Sequence, residues 1–151
     1  MKVEFWMCGK ISQSYINEAI SLYYKRIRHY LTFETIEIKL SKSKSAELIK
    51  KEEADTLLKK IQSDDYIILL DDNGEMFDSH QFATYLQKLF NSVTSRLVFI
   101  AGGAYGFDKR IYERANSRLS LSRLTFTHDL SRVIFLEQIY RALTIINNHP
   151  Y

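Results

Sequence analysis

Hydrophobic and polar positions alternate along this chain with two different periods. Five segments show the strict alternation or the continuous apolar run of a β-strand: residues 2–8, 33–40, 66–70, 97–101, and a short segment at Leu119 and Leu121. Five others carry apolar residues at helical spacing: a helix with Ile16, Ile20, Tyr23 and Ile27, then residues 46–61, a helix from Asp78 to about Phe90, a short helix after Asp108, and residues 130–147. This βαβαβαβαβα order predicts an α/β fold with a largely parallel sheet and flanking helices.

Polar residues at the ends of these segments predict caps and turns. Ser12 or Ser14 is suited to cap the first helix, and Asp78 with Gln81 has the spacing of a capping box. The tetrad at 71–74 (Asp-Asp-Asn-Gly) predicts a turn, and residues 41–45 predict a short polar loop that is too brief to link two domains.

Size and composition narrow the class of protein. A chain of 151 residues with 46% hydrophobic residues fits one domain, 1–151, with a proper core. The single cysteine, Cys8, excludes an intramolecular disulfide, and residues 1–10 predict a first strand in place of a signal peptide. No apolar run approaches the roughly 20 residues of a membrane span, so a cytoplasmic protein is expected. The net charge of +3 is too mild to indicate nucleic-acid binding by itself.

A glycine-rich segment follows the fourth strand. Residues 102–106 (Gly-Gly-Ala-Tyr-Gly) lie where backbone is able to approach a ligand closely, and the mixed apolar and hydroxyl segment 121–126 is suited to form a second wall. The segment lacks the G-x-G-x-x-G and phosphate-loop patterns, which disfavours NAD and ATP. On this segment alone, a tight strand-to-helix turn and a small-molecule site are equally good interpretations.

Other chemistry finds little support. A calcium loop starting at Asp71 would place Met76 where glycine is required, and the four histidines are widely spaced, so no metal site is predicted. No G-x-S-x-G motif indicates a nucleophilic serine. The basic and aromatic end of the first helix, around residues 23–30, suits either RNA phosphates and bases or a solvated helix terminus.

The last helix is apolar on more than one side. One side must cover the sheet, which leaves a second for another subunit. Arg132 shares a face with Leu136, so it needs a partner or a ligand, and Glu137 and Arg141 are spaced to form an ion pair.

Together these segments resemble the ribosomal large-subunit methyltransferase H family of the SPOUT superfamily over essentially the whole chain. The resemblance is carried by an ordered set of short motifs: Gly9-Lys10, Leu69-Leu70-Asp71 with Gly74, Ile100-Ala101-Gly102-Gly103 with Gly106, Leu119-Ser120-Leu121-Ser122 with Leu124-Thr125 and His128, Arg132-Val133, Glu137-Gln138, Tyr140-Arg141-Ala142, and Asn148-His149-Pro150-Tyr151. Family members usually carry a histidine or basic residue after the Pro-Tyr pair. This sequence stops at Tyr151, through either a shorter tail or a clipped end.

The resemblance implies a trefoil knot within about residues 98–151, a homodimer, and S-adenosylmethionine bound in the knot. It implies methyl transfer to N3 of a pseudouridine in helix 69 of 23S rRNA on assembled ribosomes. The cofactor-binding residues that it implies are Leu70, Gly102, Gly103, Leu121, Ser122, Arg123, Leu124, Thr125 and Phe126.

Candidate catalytic residues follow from the chemistry that the family performs. A uridine-type N3 must lose its proton and carry negative charge, so a cation at Arg132 or Arg141 is suited to stabilise it. His128 is a candidate for assisting proton removal, since histidine changes charge near neutral pH. Two alternatives stay open: a non-catalytic RNA- or ribosome-binding module, and an enzyme that uses the same loop for a different small ligand.

Overall fold

Strands and helices alternate along the chain as the apolar pattern predicts. The computed structural model describes residues 1–40, 42–43 and 45–151. Its ten elements are β1 (Lys2–Cys8), α1 (Ser14–Arg28), β2 (Phe33–Ile38), α2 (Ala46–Lys60), β3 (Tyr66–Met76), α3 (Ser79–Ser92), β4 (Arg96–Ala101), α4 (Lys109–Arg114), β5 (Ser117–Ser120) and α5 (His128–Ile146). The predicted element order is confirmed, and the predicted loop at 41–45 lies partly outside the described residues.

The five strands form one sheet in the order β2-β1-β4-β3-β5, and every neighbouring pair is parallel. Helices cover both faces, so the central strands are buried: Phe5, Phe99 and Phe135 pack on the face of α1, α3 and α5, whereas Trp6 and Leu57 pack on the face of α2 and α4. Since parallel strands end at one edge, this arrangement brings the segments after β1, β3, β4 and β5 together. The prediction of an α/β fold with a parallel sheet is confirmed.

Two of the predicted helix starts are set by side chains as expected. The Asp78–Gln81 capping box forms in both directions, and Asp108 accepts a hydrogen bond from the Arg110 N–H. The prediction that Ser12 or Ser14 caps α1 is wrong. The change from extended to helical backbone falls at Gln13, whose side chain makes no capping bond, and Ser14 is the first helical residue.

The predicted turn at 71–74 is also wrong, because β3 continues through it to Met76. Leu119 of β5 pairs with both Leu70 and Glu75, and the four intervening residues bulge out of the register. Pairing with β5 therefore overrides the local turn preference of this tetrad and turns it into a long bulge at the edge of the sheet.

Smaller differences occur at the ends of elements. β2 ends at Ile38 and β5 at Ser120, two residues and one residue before the predicted limits, and α5 begins two residues earlier, at His128. Thr127 sets that start by accepting a hydrogen bond from the Leu130 N–H. None of the helices in the described part of the chain is long and apolar enough to cross a membrane.

Candidate cofactor site

A cleft of about 340 Å³ opens at the carboxyl ends of β3, β4 and β5. Residues 102–106 after β4 form one wall, residues 121–126 after β5 form the other, and the start of α5 closes one end. The cleft is lined by eight of the nine predicted cofactor residues: Leu70, Gly102, Gly103, Leu121, Ser122, Leu124, Thr125 and Phe126. His128 lines it too, whereas Arg123 is an exposed residue outside the lining. The assignment of these residues to a cofactor stays a prediction.

Glycine at position 102 is required by packing beneath the loop. A Cβ there would come within 2.9 Å of the Phe107 ring, which is buried and lies edge-on to Tyr112. Gly106 has φ +76°, a conformation that side chains rarely adopt. The tight-turn interpretation is therefore confirmed, and it is compatible with the binding interpretation because the turn leaves bare backbone along the wall of the cleft.

The second wall is shaped by its own serines. The Ser120 hydroxyl donates to the carbonyl oxygen of Ser122, and the Ser122 hydroxyl accepts a hydrogen bond of 2.9 Å from the Leu124 N–H. The Leu124 side chain is 72% exposed at the rim of the cleft. The two hydroxyls thus fix the conformation of the loop. The exposed Leu124 side chain at the rim is placed where it can contact a ligand in the cleft.

The bulge of β3 adds acidic groups that the sequence analysis did not assign to the site. Asp71 and Asp72 line the cleft, and none of the described lining residues is lysine or arginine. A lining with carboxylates and without lysine or arginine disfavours phosphate groups and favours a cationic ligand. The position of Asp71 directly after the predicted strand 66–70 was the available signal for this role, because ligands collect at the carboxyl ends of parallel strands.

Arg132 is buried behind this cleft and does not line it. The guanidinium donates to the backbone carbonyl oxygens of Cys8 and Gly9, at the end of β1. Burial lowers its pKa, although nearby acidic groups oppose the shift. The partner that an arginine on an apolar helix face requires is therefore the main chain, and Arg132 ties α5 to the sheet. A direct catalytic role for it stays a prediction.

Arg141 is placed differently, on the outer side of α5. It forms an ion pair of 2.7 Å with Glu137, and its guanidinium lies 4.1 Å from the centre of the Tyr151 ring. The hydrogen bond from Arg141 to Glu137 raises the pKa of the arginine, so its charge is permanent. Arg141 and Tyr151 line a second cavity of about 470 Å³, together with His149.

An apolar groove connects the two cavities along the surface. It shares Leu121 and Phe126 with the cleft, and Ser79 and Gln138 with the cavity of Arg141. The cleft and the cavity of Arg141 therefore lie on either side of one apolar groove. Within the described residues, no three His, Cys, Asp or Glu side chains cluster closely enough to hold a metal ion.

A cleft at the carboxyl edge of a parallel α/β sheet is typical of small-molecule-binding proteins, and comparison with known proteins identifies the family. The family model described as "Predicted SPOUT methyltransferase" matches residues 1–151. The chain belongs to this family of methyltransferases, as the sequence motifs predict.

Curated relatives match over the full length. The chain is 46% identical to the ribosomal RNA large subunit methyltransferase H of Parabacteroides distasonis, with 100% of this chain and 98% of the relative aligned. It is 43% identical to the protein of that name from Cytophaga hutchinsonii (100% and 99% aligned) and 37% identical to the one from Porphyromonas gingivalis (100% and 98%).

Proposed function

We propose that this chain transfers a methyl group from S-adenosylmethionine to ribosomal RNA of the large subunit. The full-length identity of 37–46% to relatives named for that activity carries the proposal. The structure supports it by bringing eight of the nine residues expected at the cofactor into one cleft. The matching methyltransferase family disfavours the alternative of a non-catalytic RNA-binding module.

The residues of the cleft fit this cofactor. S-adenosylmethionine supplies an electrophilic methyl group on a positively charged sulfonium. Asp71 and Asp72 provide negative charge beside the cleft, and Leu70, Leu121 and Phe126 provide apolar walls for a nucleoside. The bare backbone at Gly102 allows main-chain donors and acceptors to approach the ligand.

The target that we propose is N3 of a pseudouridine in helix 69 of 23S rRNA, on assembled ribosomes. The enzyme must orient this base in line with the methyl group and stabilise the negative charge that develops when the N3 proton leaves. Arg141 is the better placed of the two arginine candidates, since it lines an open cavity while Arg132 is buried on the main chain. His128, at the cleft, is the candidate for assisting proton removal.

We further propose a cytoplasmic homodimer. Leu124, at the rim of the cleft, is 72% exposed, Leu130 of α5 is 45% exposed, and Ile134 of the same helix lines the apolar groove. Pairing through the outer side of α5 covers these residues and doubles the surface available to a ribosome. The knot within about residues 98–151 belongs to the same proposal.

The direct test is incubation of the purified protein with S-adenosylmethionine and ribosomes from cells that lack it, followed by mass spectrometry of rRNA fragments. We expect one added methyl group on a pseudouridine-containing fragment of helix 69. Calorimetry with S-adenosylmethionine is the companion measurement. Absence of both binding heat and methylation would overturn the proposal and favour the RNA-binding module, whereas binding without methylation of rRNA would favour another substrate.

A further inference from the structure

Glu53 of α2 is a buried carboxyl group directly behind the glycine loop. The residue is 2% exposed, and a Cβ on Gly103 would lie 3.1 Å from Glu53 Oε2 and 3.3 Å from Leu40 Cδ1. The carboxyl group therefore lies against the Gly103 backbone, which lowers the pKa of Glu53. Gly103 also lines the cleft, so this one residue has the candidate cofactor site on one side and Glu53 on the other.

We propose that Glu53 is a positioning residue that holds the Gly102–Gly103 turn in its binding conformation, so that protonation of Glu53 weakens cofactor binding. This inference rests on the proposed function, because it takes S-adenosylmethionine as the ligand of the cleft. It assigns no contact between Glu53 and the ligand. The carboxylate acts through the Gly103 N–H, and hydrogen bonds to an ionised acceptor are roughly twice as strong as those to a neutral one.

Burial, partly offset by nearby positive charges, brings the pKa of Glu53 close to neutrality. Burial raises the pKa of Glu53 to about 7, against the lowering effects of the Gly103 backbone, Arg132 of α5 and Lys50 of α2. The Cys8 thiol of β1 also faces this group; burial, reinforced by Glu53, raises its pKa, so it stays uncharged. Glu53 therefore gains its negative charge as the pH rises through neutrality, and the loop is held best above that point.

The experiment is calorimetric titration of the intact protein with S-adenosylmethionine from pH 5.5 to 8.5, for the wild type, Glu53→Gln and Glu53→Ala. We expect the wild-type Kd to rise about tenfold between pH 8 and pH 6, as the ionised fraction of a group with a pKa near 7 falls to roughly a tenth. Glu53→Gln keeps an uncharged acceptor and should bind with a Kd that does not change over this range. Glu53→Ala should bind more weakly at every pH.

Histidine side chains titrate in the same pH range, and His128 lines the cleft, so His128→Asn is the matched control. The pH midpoint should persist in His128→Asn, whatever its affinity, and disappear in Glu53→Gln. A midpoint that persists in Glu53→Gln overturns the inference while leaving the cofactor assignment intact. If the wild type binds no S-adenosylmethionine at any pH, the proposed function fails instead.

Discussion

Gly74 packs directly against the backbone of Leu119: a Cβ at position 74 would lie 2.6 Å from the Leu119 amide nitrogen. This approach closes the bulge of β3 onto β5, at the last of the four residues that leave the register. The closed bulge presents Asp71 and Asp72 to the cleft. The contact between Gly74 and Leu119 therefore helps to place the two carboxylates at the candidate cofactor site.

Substituting Gly74 by alanine should destabilise the fold. Its Cβ would meet the main chain of Arg118 and Leu119, which cannot rotate away as a side chain can. Overpacking of this kind lowers the free energy of unfolding by about 1–3 kcal/mol, measured by urea denaturation. Asn73→Ala, at the exposed neighbouring position, is the control and should stay within about 0.5 kcal/mol of the wild type. Equal stability of Gly74→Ala and Asn73→Ala would show that β5 shifts to accommodate the added Cβ, and would contradict the prediction.

The Gly102→Ala variant should bind S-adenosylmethionine more weakly because its Cβ displaces either the loop or the Phe107 ring. A strain of about 1–2 kcal/mol corresponds to a roughly five- to thirtyfold rise in Kd by calorimetry. Phe107→Leu provides the matched test, since a smaller side chain at 107 makes room for the methyl group. The double variant should recover part of the lost affinity, and a purely additive loss would mean that Phe107 is not the obstacle.

Substituting Arg141 should affect mainly the reaction rate, whereas substituting Arg132 should affect mainly the stability of the fold. Arg141→Ala removes an accessible, permanently charged group and should lower the single-turnover rate on ribosomes by about 100-fold or more, with little change in cofactor Kd. Arg132→Ala removes a buried anchor of α5 and should lower the free energy of unfolding by about 2–4 kcal/mol. Glu137→Gln is the control for the Arg141 ion pair. Full single-turnover rates in both arginine variants would contradict both catalytic assignments.

The homodimer proposal can be tested with two leucines of equal exposure. Leu130 on α5 and Leu22 on α1 are each 45% exposed, but only Leu130 lies on the proposed interface. Light scattering of the wild type should give about twice the chain mass of 17.8 kDa. Leu130→Glu should shift the mass toward the monomer, and Leu22→Glu should leave it unchanged. The opposite ranking of the two variants would move the interface to α1.

Most of the fold could be predicted from local sequence patterns. The strand and helix periodicities and the Asp78–Gln81 capping box depend only on residues that are close in the sequence. The walls of the cleft could also be predicted, since parallel strands end at one edge and the segments after β4 and β5 must meet there. The resemblance to the family motifs then gave S-adenosylmethionine as the expected ligand and the residues expected to bind it.

The features that the sequence did not reveal depend on long-range pairing. The tetrad at 71–74 has the composition of a turn, and only the register of β5 makes it a bulge. Glu53 lies in a charged stretch of α2 that has little contrast between its faces, so its burial against Gly103 depends on how α2 packs. The hydrogen bonds of Arg132 likewise reach residues more than 120 positions away.

A last prediction concerns the stability that the buried Glu53 removes. Its pKa rises from 4.5 in the unfolded chain to about 7 in the fold, so between these values the folded state holds a proton that the unfolded state lacks. Stability from this group is therefore present below pH 4.5 and is lost as the pH rises through 7, by about 3 kcal/mol.

The Glu53→Gln variant has no carboxyl group at this position and therefore does not show this loss. The difference in free energy of unfolding between the variant and the wild type should grow in favour of the variant from pH 5 to pH 8, by urea denaturation. Parallel pH profiles would show that Glu53 titrates normally in the fold. A more stable variant that has also lost the pH dependence of cofactor binding would mean that the ionised carboxyl is kept for the loop and at the expense of stability.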